Sequence, residues 1–204
     1  MVHISDGILP TDIWISSLFL TCIILSYCLY KLKIEEIPKV SLVASAVFVA
    51  SLIHIPIGPS SVHLILAGLA GIILGRSAFP AVFLAVLLQA IIFQHGGITT
   101  IGVNTLTIGL SAIISYHLFW FVTKKGTTDK KYVLGGCIAG SSAIITAVFF
   151  TSMFLIITGE NLIGLTIALI ISHIPVIVIE TILTGSISGF IHKVKPEIIS
   201  EVNI

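Results

Sequence analysis

Residues 162–191 have the sequence LIGLTIALIISHIPVIVIETILTGSISGFI, in which Glu180 is the only acidic or basic side chain apart from a histidine. A helix that crosses a bilayer needs about 20 consecutive apolar residues, so this run is long enough even with Pro175 inside it. Of all 204 residues, 56% are hydrophobic and 9% are charged, whereas a soluble domain carries about 25% charged residues. The sequence therefore predicts an all-α integral membrane protein that forms a single domain over residues 1–204.

Six further apolar segments precede this run. They cover residues 13–30, 40–53, 62–75, 79–93, 103–123 and 133–158. With seven segments, all ten Lys and Arg side chains fall in loops or ends on one side of the membrane. Because cytoplasmic loops carry the excess of Lys and Arg, this predicts seven transmembrane helices in the cell membrane, with the amino terminus outside and the carboxyl terminus in the cytoplasm. A net charge of +1 and the lack of a basic tract give no indication of a nucleic-acid partner.

The second, third and fourth segments are shorter than a full span. The loops after the second and fourth segments, HIPIGPSSVH at 54–63 and HGGITTIGVN at 95–104, are rich in glycine and proline. Irregular backbone is tolerated at membrane depth only when it is buried in protein or lines a cavity. We therefore expect both loops to turn into the bundle.

Four of the seven histidines fall on the outer side in this topology, namely His3, His54, His63 and His95. Near the second loop, polar side chains that could orient ligating imidazoles are Gln89, Gln94 and Asn104. Hydrogen bonding between helices explains these three equally well. For the remaining histidines, the sequence favours hydrogen-bonded core positions at 117 and 173 and a solvated helix end at 192.

The amino terminus, MVHISDGILP at 1–10, places His3 close to the α-amine. The amine, backbone nitrogens and an imidazole can close small chelate rings around one metal ion, and both basic groups deprotonate near neutral pH. If Met1 is kept, the terminus up to His3 offers four nitrogen ligands in one plane. If Met1 is removed, so that Val2 is the first residue, the terminus offers three nitrogen ligands and leaves one position on the metal for another ligand. Planar nitrogen ligands suit Ni(II) or Cu(II). The alternative is that His3 lies on a frayed end.

Three motifs together resemble the CbiM/NikM family, the substrate-binding components of energy-coupling-factor importers for cobalt and nickel. They are HISDGILP at 3–10, SSVH at 60–63 leading into LAGLAGIILG at 66–75, and HGGITTIGVN at 95–104. The resemblance covers essentially the whole chain. In that family the metal is held by the terminal amine, by the backbone nitrogen and imidazole of the next residue, a histidine, and by a second histidine that matches His63.

This chain departs from the family pattern by one residue, Val2. The resemblance thus implies a metal site formed by Met1, Val2, His3 and His63, with the role of Met1 depending on whether it is removed. It also implies that Ni²⁺ or Co²⁺ is bound as the transported ion and that the protein has no cofactor. The implied partners are a membrane coupling protein and ABC-type ATPase subunits, and the family leaves room for a small additional membrane subunit. No GxxxxGK[ST] motif is present, so ATP hydrolysis is expected in the partners.

Two other classes of function are weaker alternatives. An intramembrane metalloenzyme would need an HExxH-type site and a general base, but no HExxH occurs and Asp6 is the only acid near the outer histidines. A vitamin-binding component of the same transporter type would need an apolar or aromatic pocket.

The sequence leaves two interpretations of Glu180 open, as a buried partner for His173 or as part of a surface that contacts the coupling protein.

Overall fold

A computed structural model of the chain describes residues 3–57, 60–124 and 128–200, and omits the side chains of 54–57, 60, 61, 160 and 200. In chain order the elements are α1 (Thr11–Lys31), α2 (Ile37–Ala50), β1 (His54–Ile57), β2 (Ser60–His63), α3 (Ala67–Leu74), α4 (Ala78–Phe93), α5 (Ile101–Thr123), α6 (Asp129–Thr158), α7 (Ile163–Val194) and α8 (Glu197–Ser200). Short 3₁₀ turns cover Ile34–Glu36, Gly75–Ser77 and Glu160–Leu162. The described part of the chain is thus a helical bundle with one β-hairpin.

Large apolar side chains cover the outside of this bundle. Phe19 on α1, Phe149 on α6 and Phe190 on α7 are each more than half exposed. The helical stretches that are long and apolar enough to cross a membrane are Thr11–Lys31, Ala67–Phe93, Ile101–Thr123, Asp129–Thr158 and Ile163–Val194. Such a surface would be unfavourable in water and is favourable in lipid. The prediction of a multi-pass helical membrane protein is confirmed.

The two ends of the bundle carry different residues. At one end, called the histidine end, the rings of His3 and His63 stack on each other. At the other, called the α8 end, Ile199 packs with Ile72 and Phe119 near the ends of α3 and α5. Lys39, at the start of α2, donates a hydrogen bond to the Ile198 carbonyl at this end. Helices α1 to α7 therefore alternate in direction.

The apolar stretch 67–93 is two antiparallel helices. Gly75, between α3 and α4, has φ +57°, a positive value that glycine adopts without the steric cost of a side chain. As a result, α3 starts at the histidine end and α4 returns there, where the ring of Phe93 lies 6.1 Å from that of His95.

Helix α3 lies against the backbones of two neighbouring helices. A Cβ on Gly68 would lie 2.6 Å from the Ala139 carbonyl oxygen of α6, and one on Gly71 would lie 2.1 Å from the Ala112 carbonyl oxygen of α5. Neither approach leaves room for a side chain, so small residues are required on this face. The short helix is thus enclosed in the bundle.

Several predicted boundaries are wrong. The segment predicted at 62–75 is helical only from Ala67, because residues 60–63 pair with 54–57 as an antiparallel hairpin in which His54 opposes His63. The segment predicted at 40–53 starts earlier, at Ile37, and ends at Ala50. Apolar β-branched residues such as Val62 suit a strand and a buried helix equally well, so composition did not distinguish the two.

Both loops turn inward, as expected. Val62 and His63 at the end of β2 are buried, and so are the next two residues, Leu64 and Ile65. In the second loop, Gly96 and Gly97 are also buried. The tip of the first loop, residues 58–59, lies outside the described residues. The buried parts of the two loops bring histidines into the protein.

Candidate metal-binding site

The amino-terminal segment is inserted into the histidine end. The Ile4 backbone N–H donates to the Asn104 side-chain oxygen at 2.8 Å. The Ile4 carbonyl accepts from the Thr100 hydroxyl at 2.7 Å and from the Asn104 amide at 3.0 Å. The Ile4 side chain packs with Leu9, Val103 and other apolar residues. Residues 3–10 are therefore anchored, which contradicts the frayed-end alternative for His3.

The glycine-rich loop is shaped to receive this segment. The Asp6 carboxylate accepts hydrogen bonds from the backbone N–H groups of Ile98 and Thr99, at 3.2 and 3.0 Å, and from the Thr99 hydroxyl. The Thr99 hydroxyl bond is the largest cause that lowers the pKa of Asp6. A Cβ on Gly97 would lie 2.1 Å from the Asp6 carboxyl carbon. Glycine at 97 thus leaves the space that the Asp6 carboxylate occupies.

Three imidazole rings lie in a row at this end. The ring centroids of His3 and His63 are 5.2 Å apart, and those of His63 and His95 are 6.2 Å apart with nearly parallel planes. His3 is 7% exposed and His63 is 2% exposed, while His95 is half-buried. The inserted terminus, the hairpin and the glycine-rich loop each contribute one ring.

His63 has a defined tautomer. Its Nδ1 lies 2.8 Å from the Leu64 carbonyl oxygen, which can only accept a hydrogen bond. Nδ1 therefore carries a proton, and in the neutral ring the lone pair is on Nε2. A hydrogen bond of this kind, from the non-ligating ring nitrogen to a carbonyl, is typical of metal-binding histidines.

His3 is held in the neutral form. Burial lowers the pKa of His3 well below its ordinary value, and nearby His63 lowers it further. Within the described residues, neither ring nitrogen of His3 has a hydrogen-bond partner. A neutral buried imidazole with available nitrogen atoms is the form that binds a metal ion.

The described side chains alone do not form a complete ligand set. No group of three or more His, Cys, Asp or Glu side chains in the described ranges is placed to hold one ion. The predicted ligands Met1 and Val2 lie outside the described residues. A complete ligand set around the rings of His3 and His63 would therefore need nitrogen atoms from residues 1–2.

A model of the family "Cobalt uptake substrate-specific transmembrane region", CbiM, matches residues 3–198 of this chain. The chain belongs to the CbiM family. Over 98% of its length it is 35% identical to a chain of Haemophilus influenzae that carries the name of a metal transport protein, and it covers 97% of that relative. It is also 32% identical to a cobalt transport protein CbiM of Clostridium tetani, over 94% of this chain and 85% of that one.

Two solved structures share this architecture. A transition metal transporter superposes with a TM-score of 0.74 at 20% identity, covering 96% of this chain and 94% of the other. A truncated transition metal transporter gives a TM-score of 0.71 at 18% identity, over 96% and 98% of the two chains. At these identities the likeness concerns the fold.

The other residues predicted to lie beside the metal ligands are in four different environments. The Asn104 side chain bonds to the backbone of Ile4 and to the Thr100 hydroxyl, and to no imidazole among the described side chains. Gln94 ends α4 in a left-handed conformation with an exposed side chain. Gln89 is buried, and its side-chain oxygen has no hydrogen-bond partner in the described part of the chain. The backbone of His54 opposes His63 in the hairpin, but the His54 side chain lies outside what is described.

The remaining histidines do not join the row of three rings, although His173 lies close enough to His3 to help lower the pKa of His3. His173 is buried and bonds through Nδ1 to the Leu169 carbonyl, as a core residue would. His117 is exposed on α5, so its predicted core position is wrong. His192 is more enclosed than a solvated helix end, because it stacks on Tyr132 with the ring centroids 3.6 Å apart and lies 3.6 Å from the Asp129 carboxylate.

Sequence reasoning missed the residues that hold the backbone of the site. Thr99 and Thr100 bind Asp6 and Ile4, although both lie in the quoted glycine-rich motif. Glu180 binds neither His173 nor another side chain in the described region, and instead accepts from the N–H groups of Ile65 and Leu66. Every residue except proline has a backbone N–H group, so the sequence does not indicate which of these groups binds Glu180.

Proposed function

We propose that this chain is the substrate-binding membrane component of an ATP-driven importer for nickel or cobalt. The observation that carries the proposal is the stacked pair of buried rings, His3 and His63, beside an anchored amino terminus. It is supported by membership of the cobalt-uptake family over residues 3–198. An ion bound here would be enclosed by protein on the side of the two inward-turning loops.

The proposed ligands are the terminal amine, a backbone nitrogen, the imidazole of His3 and Nε2 of His63. His3, whose pKa is lowered by burial, and the neutral tautomer of His63 with its proton on Nδ1 each present a ring nitrogen with a lone pair. Nitrogen donors in a plane, including a backbone nitrogen, favour nickel over the oxygen-preferring Mg²⁺ and Ca²⁺. This ligand set takes Val2 as the terminal residue, because a retained Met1 would let the terminus supply all four positions and leave none for His63.

The proposed orientation places the histidine end outside the cell and the α8 end in the cytoplasm. The loops and chain ends at the α8 end carry the Lys and Arg side chains that the structure describes, in agreement with the positive-inside tendency. In this orientation all seven of the alternating helices α1 to α7 cross or enter the membrane. The ion is captured from outside and must leave toward the α8 end.

The chain has no nucleotide-binding motif, so release requires partner subunits. We expect a membrane coupling protein and ABC-type ATPases, whose ATP hydrolysis reorients the loaded component. Two relatives support joint action with other components. One is a fused cobalt transport protein CbiMQ of Methanocorpusculum labreanum, of which this chain covers 37%, and the other is a fused nickel transport protein NikMN of Archaeoglobus fulgidus, of which it covers 68%.

The test is calorimetric titration of the purified protein with Ni²⁺ and with Co²⁺. His3→Ala and His63→Ala should each weaken binding by at least about 100-fold, beyond the range of about 10 to 100-fold that is typical of outer-shell partners. His192→Ala, at the α8 end, is the matched control and should bind as the unchanged protein does. Unchanged affinity in His3→Ala or His63→Ala would reject the proposed site.

A further inference from the structure

Glu180 is a buried acid with an unusual set of partners. It lies on α7 and is 0% exposed. Its Oε1 accepts hydrogen bonds from the backbone N–H groups of Ile65 at 2.6 Å and Leu66 at 2.8 Å. Among the acidic side chains that the structure describes, Glu180 is the only buried one. A buried carboxylate is costly unless its hydrogen bonds and charge are used, so its position needs an explanation.

The partner of Glu180 is the same peptide group that holds His63. The Leu64 carbonyl, which accepts from His63 Nδ1, and the Ile65 N–H, which donates to Glu180, belong to one planar peptide unit. The carboxylate therefore acts on one end of this unit and the imidazole on the other. Hydrogen bonds in series polarise one another, so the bond from the Ile65 N–H to Glu180 makes the Leu64 carbonyl oxygen a stronger acceptor.

The effect on the ring follows from this arrangement. A stronger acceptor at Nδ1–H fixes the ring orientation and tautomer and raises the basicity of Nε2. Metal-ligating histidines often donate directly to a carboxylate, which has the same two consequences. In this chain a peptide group stands between the carboxylate and the imidazole.

The second hydrogen bond to Glu180 holds a strained residue. Leu66 has φ +51°, in the left-handed region that a leucine adopts only at an energetic cost. Such conformations persist where the surrounding structure fixes them, often at ligand-binding segments. The bond from the Leu66 N–H to Glu180 fixes the path of the chain from His63 into α3.

We infer that Glu180 is the positioning residue of the metal site, acting on His63 through the Leu64–Ile65 peptide. It sets the orientation, tautomer and donor strength of the His63 ring. This inference rests on the proposed function, since it takes His63 to be a ligand.

The test compares Glu180→Gln and Glu180→Ala with Thr184→Val. Gln keeps the size of Glu and an oxygen that accepts from Ile65 and Leu66, but it removes the charge. Thr184 is a matched control because it is fully buried one turn further along α7, and no hydrogen bond links it to residues 63–66. Affinity for Ni²⁺ should fall by about 10-fold in Glu180→Gln and about 100-fold in Glu180→Ala. Thr184→Val should keep the original affinity.

A second readout needs no metal. In ¹⁵N NMR spectra of the metal-free protein with labelled histidine, Glu180→Gln should shift the His63 Nδ1 and Nε2 signals, because the acceptor at Nδ1–H is weakened. Thr184→Val should leave those signals in place. A purely structural cap on α3 would lower the melting temperature in Glu180→Ala without moving the His63 signals in Glu180→Gln.

The results separate the two proposals. If the unchanged protein binds Ni²⁺ and His63→Ala does not, but Glu180→Gln matches Thr184→Val in affinity and in the His63 signals, the role of Glu180 is rejected and the proposed function stands. If His63→Ala binds normally, the proposed site fails. The metal-free spectra then still decide whether Glu180 acts on the His63 ring. If Glu180→Ala does not fold, the Glu180→Gln comparison decides.

Discussion

The side chain of Asn104 should control metal affinity without touching the metal. It makes two hydrogen bonds to the backbone of Ile4, one to the N–H at 2.8 Å and one to the carbonyl at 3.0 Å. In Asn104→Ala the Ile4 N–H loses its partner while it stays buried. Leaving a buried donor without a partner costs about 1 to 3 kcal/mol. The released segment would bond to water instead, so the equilibrium shifts toward an undocked terminus.

The magnitude follows from this cost. A change of about 2 kcal/mol lowers the docking equilibrium constant by roughly 30-fold. Apparent affinity falls in proportion to the fraction of molecules with the segment docked, so the loss in affinity for Ni²⁺ has an upper limit of about this factor. Thr100→Val should have a smaller effect, because the Ile4 carbonyl keeps its bond from Asn104.

The assay is calorimetric titration with Ni²⁺ of the purified variants. Thr107→Ala is the matched control, since Thr107 is equally buried one turn along α5 and its hydroxyl bonds only within that helix, to the Asn104 carbonyl. The expected order of affinity is Thr107→Ala above Thr100→Val above Asn104→Ala. Equal affinities in Asn104→Ala and Thr107→Ala would refute the reasoning that docking of the terminus creates the site.

Three further outcomes are expected. A peptide fused ahead of Met1 turns the α-amine into an amide, so it should abolish metal binding, whereas a carboxyl-terminal tag should be tolerated; equal binding by both tagged proteins would remove the amine as a ligand. The pKa of Asp6 is lowered in the folded protein, chiefly by Thr99, so its contribution to stability is complete above its ordinary pKa and is lost as pH falls through the lowered value. Melting temperatures measured from about pH 3 to about pH 6, a range that brackets the ordinary pKa of Asp, should fall toward acid pH in the unchanged protein more than in Asp6→Asn. The same pH dependence in both proteins would contradict this. A membrane-impermeant thiol reagent should label Glu160→Cys and not Thr128→Cys from outside; the reverse pattern would invert the proposed orientation.

Much of the bundle could be predicted because its signals are local. A long apolar run such as 162–191 and the position of every Lys and Arg are visible in the sequence. The corresponding helix, α7, runs through Pro175 without a break. The hairpin was not predicted, since the apolar residues of 60–66 do not distinguish a strand from a buried helix.

The candidate site could be predicted only in part. His3 and His63 were predicted as ligands, the second from the family resemblance, and His95 as a residue beside the ligands; the structure brings the three rings into one row. The groups that hold them in place are largely backbone atoms, as at Ile4 and Ile65. Contacts between a side chain and a distant peptide group leave no pattern in a single sequence, so they required the three-dimensional structure.

The long sequence separation of these contacts has a consequence for biosynthesis. Ile4 binds Asn104, which lies 100 residues later, and Ile65 binds Glu180, which lies 115 residues later. Chains are made from the amino terminus at about 5 to 20 residues per second, so the first residues emerge many seconds before their partners exist. The amino terminus must therefore stay undocked until α5 has been inserted, and the segment around His63 is fixed only when α7 arrives. The candidate site is consequently completed at the end of assembly, and a chain truncated before α7 would have its histidines without the acid that holds one of them in place.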